Sequence, residues 1–192
     1  MDTPATKSMV ANCAAYGADG RKIRDITLDE ISDFLEQQKG FVWVGLVEPD
    51  EPLLEKLQGE FGLHELAVED ARNAHQRPKI ESYGDSLFVV AQTAQMTEGS
   101  IAFGETHIFV GKHYLLSVRH GASQSYAPAR RACEQIPEYL ALGPSFALYS
   151  ILDLIVDNYL PIVQDFKQEL QELEQDVFAD VSNRDVTRRL YD

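Results

Sequence analysis

Phe41-Val-Trp-Val-Gly-Leu-Val47 is a short run of β-branched, aromatic and aliphatic residues with no charged position. An alternating pattern would mark a strand wet on one side. A continuous apolar run of this length marks a strand buried on both faces, which needs a layer above it and another below. The neighbouring sequence supplies helices for those layers. Upstream, 27–38 reads as a helix: Thr27 caps it, Glu30 completes a capping box, and Ile31, Phe34 and Leu35 line one face. Gly40 follows as a stop. Downstream, Asp50 caps a helix with Pro52 in its first turn, Leu53, Leu54, Leu57 and Phe61 give helical spacing, and Gly62 ends it. A shorter helix is expected over 64–72, and Pro78 prevents its continuation.

Farther out, 10–16 reads as a first strand. Three more strands are expected over 86–96, 101–110 and 114–120. The turn signals Glu98-Gly99 and Gly111-Lys112 join them into an antiparallel meander. A helix over 123–142 is expected to be disturbed at Pro137. Helices and strands alternate early and strands then run together, so the expected fold class is α/β, a mixed β-sheet sandwiched between helices and followed by acidic C-terminal helices.

The C-terminal part has its own pattern. From Tyr149 on, Leu152, Val156, Tyr159, Val163, Phe166, Leu170, Leu173 and Val177 follow steps of three and four, a heptad seam. Leu148, Ile151, Leu154 and Ile155 widen the apolar face of its first half, which is expected to pack on the domain. Beyond Pro161 the seam narrows among Asp165, Lys167, Glu169, Glu172, Glu174 and Asp176, and a narrow seam with charged flanks calls for another helix. The stretch 186–191 reads as the opening of that further helix. The expected organisation is therefore an α/β domain over 1–144, then an acidic heptad helix and the start of another over 145–192, in a chain cut from a longer protein.

With 31 acidic residues against 17 Lys plus Arg, the net charge is −14. Such a surface repels nucleic-acid phosphates and anionic lipid, and it attracts cations or a basic partner. Cys13 and Cys133 form no CxxC pair, which argues for a reducing compartment and against a thiolate metal site. The N-terminal residues carry no signal-peptide pattern, and no run of ~20 apolar residues suggests a bilayer span. There is no GxSxG, P-loop or dinucleotide fingerprint, so an enzyme is not expected. His64 and His75 do not have zinc-helix spacing and read as capping or solvent-facing residues; His107, His113 and His120 read as surface positions on or beside strands.

The densest polar motif is Val68-Glu-Asp-Ala-Arg-Asn-Ala-His-Gln-Arg-Pro-Lys-Ile80. On a helix, the adjacent carboxylates Glu69 and Asp70 diverge by about 100° and do not readily chelate one ion together. They either serve sites at a boundary between chains or form an ordinary solvated pair bridged to Arg72 or Arg77. Mg2+ prefers oxygen ligands and keeps several waters, so one or two carboxylates suffice to hold it.

This motif resembles the hallmark of the CorA family of magnesium and cobalt channels. Trp43-Val-Gly-Leu46, Phe61-Gly-Leu-His-Glu-Leu-Ala67 and Leu148-Tyr-Ser-Ile-Leu-Asp-Leu-Ile-Val-Asp-Asn-Tyr159 fit the same family. The resemblance covers about residues 10 to 180 and concerns the family's cytosolic domain; the Gly-Met-Asn pore motif is not in this sequence. It implies a homopentamer on the cytoplasmic face of the membrane, joined to it through a C-terminal transmembrane part, with a stalk helix following the acidic helices. It further implies regulatory Mg2+, or Co2+ or another divalent cation, bound between subunits and favouring the closed state. Glu69 and Asp70 match the acidic pair facing the subunit boundary, Asp153 matches a third carboxylate of that same site, and Asp157 is a weaker match; the neighbouring subunit's carboxylate is implied to lie on the stalk helix, which is missing or only begun here. Two alternatives accompany this reading: a branch of the family moving Zn2+, Co2+ or Ni2+, and a free-standing soluble module that binds a partner through the heptad seam.

Overall fold

The computed structural model describes residues 9–178 except 38 and 98. Its centre is a seven-stranded sheet in the order β2-β1-β3-β7-β6-β5-β4. The strands are β1 (Val10–Gly17), β2 (Lys22–Asp25), β3 (Gly40–Val47), β4 (Lys79–Tyr83), β5 (Ser86–Thr97), β6 (Ser100–Val110) and β7 (Tyr114–Gly121). The pairing of β3 with β7 is parallel and every other pairing is antiparallel, so the sheet is mixed as expected.

Alternate residues of the central strands feed two separate cores. Val42, Val44 and Leu46 of β3 join Leu116 and Val118 of β7 and Phe88, Val90 and Phe109 on one face. Three helices cover that face: α1 (Ile31–Glu36), α2 (Glu51–Phe61) and α3 (Glu65–Asn73). They contribute Ile31, then Leu53, Leu54, Leu57 and Phe61, then Ala67, Val68 and Ala71. Phe41, Trp43, Val89, Ile108 and Leu115 point to the opposite face, where α4 (Ala127–Glu134), α5 (Pro137–Leu140) and α6 (Pro144–Phe178) supply Cys133, Leu140, Ala147, Ile151 and Ile155. This is the layered arrangement that the 41–47 run requires.

Several elements differ from the sequence reading. The edge strands β2 and β4 were not expected: β2 is exposed along its whole length, and β4 is short and interleaved with charge. The capping box at Thr27 and Glu30 forms, but it opens a 3-10 turn, Leu28–Glu30, before the short α1. The helix expected over 123–142 is shorter, starting at Ala127, and the disturbance expected at Pro137 is present as a full break. Proline disfavours helical backbone in the residue before it, and Ile136 leaves the helical region at φ −127°, ψ 65°, separating α4 from α5.

α6 is also longer and more apolar than run lengths indicated. By length and composition alone it is apolar enough to cross a membrane, although Asp153 and Asp157 interrupt its apolar run. Here its inner face packs on the sheet through Ala147, Ile151, Ile155 and Ile162, and the Tyr159 hydroxyl donates to the Gln92 carbonyl at 2.7 Å. Beyond Pro161 the seam residues Val163, Phe166 and Leu170 are exposed; Tyr149 and Val156, in the half expected to pack on the domain, are exposed as well, and that half packs through Ile151 and Ile155 instead. The further helix expected over 186–191 lies outside the described residues.

Deleting a side chain from the two-sided core removes its transfer free energy and leaves a void. Leu116→Ala, at a fully buried position, is expected to cost about 2–5 kcal/mol in urea unfolding. Ile23→Ala, on the exposed edge strand, should change stability by less than about 0.5 kcal/mol.

Candidate functional site

The acidic pair sits on α3. His64 caps this helix, its imidazole accepting from the Leu66 N–H at 3.3 Å and its ring stacking on Tyr83, so the expected capping role holds. Ala67, Val68 and Ala71 fix α3 to the core. That orientation turns Glu69 to solvent and leaves the Asp70 side chain 23% exposed. Asp70 is bridged neither to Arg72 nor to Arg77. Its partner is Lys79, at 2.7 Å, which also meets Glu81 at 2.9 Å. The hydrogen bond to Asp70 is the main reason the Lys79 ammonium is pushed up to about 12. Arg72 pairs instead with Glu51 and, more distantly, with Glu55 of α2.

Between α3 and β4 the chain passes through Ala74 and His75, both with positive φ, 49° and 57°. Non-glycine residues in that region carry strain and persist only where their surroundings hold them. Glu105 of β6 does so. Its nearly buried carboxylate accepts from the backbone N–H groups of both His75 and Gln76, the latter at 3.0 Å. A second tie comes from His120, whose Nε2 lies 2.8 Å from the Ala71 carbonyl near the end of α3 and whose Nδ1 lies 3.0 Å from Glu48. His107 is fully buried beside Glu105, at 3.2 Å, and meets His120 and Phe88 edge-on. Burial pushes the His107 imidazole down, against the pull of Glu105.

These contacts correct the expectation that His107 and His120 are surface positions: they lie under the motif and against α3. His113 is half-buried, its Nδ1 2.9 Å from the Gly40 carbonyl. His75 is exposed, as expected. The sequence reading also missed Glu105. The available signal was the two-residue period of a strand: Phe109 is a core residue, so Glu105 and His107 share its face.

Asp153 lies elsewhere. It is exposed on α6, beside a groove between α4 and α6 that is also lined by Ala129, Ala132, Phe146 and Asp157. The sheet therefore separates Asp153 from Glu69 and Asp70. Among the described residues no group of three or more His, Cys, Asp and Glu converges as a metal would require. The two acidic faces do not meet within one chain.

The fold is an acidic α/β domain whose carboxylates Glu69 and Asp153 face outward from opposite sides of the sheet. Residues 38–192 match the family described as CorA-like Mg2+ transporter protein, and the chain belongs to that family of transporters. Among curated relatives, the cobalt/magnesium transport protein CorA of Thermotoga maritima is 25% identical over 131 residues, 67% of this chain and 37% of that protein. The chain spans about half the length, or less, of the curated relatives it matches. Its fold is that of the soluble domain of CorA from Methanocaldococcus jannaschii, with a TM-score of 0.68 and 22% identity over 95% of this chain and 70% of that one. The cytoplasmic domain of ZntB from Vibrio parahaemolyticus shares the fold at a TM-score of 0.66 and 12% identity, covering 93% and 68%.

The buried Glu105 and His107 give two expected outcomes. Glu105→Ala leaves two backbone donors unmet and should destabilise the chain by about 1–3 kcal/mol, with faster amide exchange at His75 and Gln76. The unfolded chain protonates His107 near its ordinary 6.5, and the native chain does so only at lower pH. Native stability should therefore fall as pH drops below 6.5 toward the depressed value, and urea midpoints of His107→Gln should depend less on pH across that window.

Proposed function

We propose that this chain is the cytosolic, divalent-cation-sensing part of a CorA-like Mg2+ channel, and that Mg2+ held between subunits favours the closed state. The observation that carries this reading is the placement of the carboxylates: Glu69 and Asp70 on one side of the sheet, Asp153 on the other. A chain with acidic residues on two opposite faces can share an ion only with a neighbour, each subunit giving one face. A ring of identical subunits, such as the homopentamer the family resemblance implies, repeats that boundary. The membrane-spanning part would follow the acidic helix, and the stretch from 145 on would lead toward it.

Asp70, Glu69 and Asp153 fit a hydrated hard cation. They are carboxylates at or near the surface, and Mg2+ accepts one or two such ligands while keeping its waters. Without the ion, apposed acidic faces repel. A divalent cation between them removes the repulsion only in the arrangement that brings the faces together, and that differential binding shifts the population toward it. Lys79 already neutralises Asp70, so the ion must share or replace that partner.

A second reading keeps the architecture and changes the ion to Zn2+, Co2+ or Ni2+. The Thermotoga relative is named for cobalt as well as magnesium, and the fold is common to the CorA and ZntB domains.

In the assembled full-length protein, Mg2+ in the millimolar range should protect the cytosolic part from proteolysis. Glu69→Ala with Asp70→Ala should weaken that protection, as should Asp153→Asn, whereas Lys79→Met should shift it to lower Mg2+. Protection curves identical to wild type in the acidic variants would remove the assigned site. Co2+ or Zn2+ protecting at lower concentration than Mg2+ would favour the second reading.

A further inference from the structure

On the face of the sheet away from Glu69 and Asp70, a recess with about 40 Å³ of room opens between the strand ends and the start of α4. It is lined by Asn12, Gly45, Ser117, Arg119, Ser125 and Arg130, among others. It sits at the carboxyl ends of the parallel pair β3 and β7, the position at which open α/β sheets leave a crevice for ligands.

Arg119 is the unusual member. It is only 9% exposed, and burial pushes its guanidinium down. Among the described residues no carboxylate lies within salt-bridge distance of it, although the chain carries a net charge of −14. Its Nη1 donates to the Ser123 and Gln124 carbonyls, at 3.3 and 2.7 Å, and its guanidinium lies over the Tyr126 ring. Nε and Nη2 form no hydrogen bond among the described residues. An arginine fork held on one side by carbonyls keeps the remaining donors aimed in a fixed direction. A buried charge without a counter-ion is costly, and an anion in the recess would remove that cost.

The other lining groups complete a donor set. Arg130 also lines the recess, and among the described residues Glu134, at 3.6 Å, is its only carboxylate partner. Glu134 is itself engaged by the Tyr16 hydroxyl at 2.8 Å. Ser125 Oγ accepts from the Ala127 N–H at 3.2 Å, which leaves its own proton to donate outward. Gly45 keeps the floor open, since it has no side chain to project toward Ser117 and Asn12.

We propose that this recess, built on Arg119, Arg130 and Ser125, binds a small tetrahedral oxyanion of the phosphate type. Arg119, Arg130 and Ser125 all line the recess and together offer several donors to an ion with three or more acceptor oxygens, and guanidinium forks match phosphate geometry. One water occupies about 10–15 Å³ by this measure, so the recess has room for a single small oxyanion. The recess lies on the sheet face opposite Glu69 and Asp70, the face that α6 and Asp153 cover, and its donor set includes none of those three carboxylates.

The test is a titration of the folded chain with inorganic phosphate, in divalent-free buffer at matched ionic strength, followed by amide NMR. Saturable shifts are expected at Gly45, Ser117 and Ser125, and Arg119→Lys and Arg130→Gln should each weaken binding by about tenfold. Arg130→Gln is the decisive variant, because Arg119 also holds the 123–124 carbonyls. A nucleoside monophosphate that binds more tightly than phosphate would identify the ligand as the phosphoryl end of a larger molecule; one that binds equally or less tightly would identify the free oxyanion. Shifts that do not saturate, that chloride reproduces, or that Arg130→Gln leaves unchanged would overturn the proposal.

Discussion

The parallel pairing of β3 with β7 is the constraint on which the rest of the molecule depends. A parallel pair cannot be closed by a tight turn; its crossover must leave the sheet and return. Between the two strands the chain places α2, α3 and the whole β4-β5-β6 meander, and after β7 it crosses to the other face to build α4, α5 and α6. The pair is buried on both sides, so helices must cover both. That one pairing therefore decides that the two groups of acidic residues stand back to back and that their cooperation, on the proposed reading, is a matter between subunits.

A second consequence concerns how the motif after α3 is held. Its strained backbone is held by its own residues only through the Gln76 side chain, which donates to the Ala74 carbonyl at 3.3 Å. It is fixed from below by β6 and β7, through Glu105 and His120. The acidic helix is thus tied to the middle of the sheet by polar groups in an otherwise apolar layer. Such groups specify one arrangement when fully satisfied and are costly when broken. The position of Asp70 relative to the core is set at the same place.

Much of this architecture was legible in the sequence, and what was missed has physical reasons. The apolar run 41–47, the spacing of Leu53, Leu54, Leu57 and Phe61, and the turn at Gly111 each carry a strong local signal, and each element formed where expected. The edge strands β2 and β4 carry almost none, because an edge is only half covered and keeps its charges. Ile136 shows a local steric rule that was legible: the disturbance expected at Pro137 formed, as a full break between α4 and α5. At the site, the residue types of Glu69, Asp70 and Asp153 were readable, but their separation by the sheet was not, since it follows from topology. The partner of Asp70 was misread for a similar reason: Arg72 and Arg77 are nearer in sequence, yet β4 brings Lys79 back beside the helix.

The Lys79 contact has a quantitative implication. Lys79 lies nine residues from Asp70 along the chain, so its ammonium meets that carboxylate at an effective concentration on the order of millimolar or above. On the proposed reading, any cation reaching Asp70 competes with a tethered rival whose local abundance does not change with protein level, dilution or expression. The fold thereby carries its own internal reference: the threshold at which a dissolved ion displaces the tethered one is written into the length and path of the 71–78 connection.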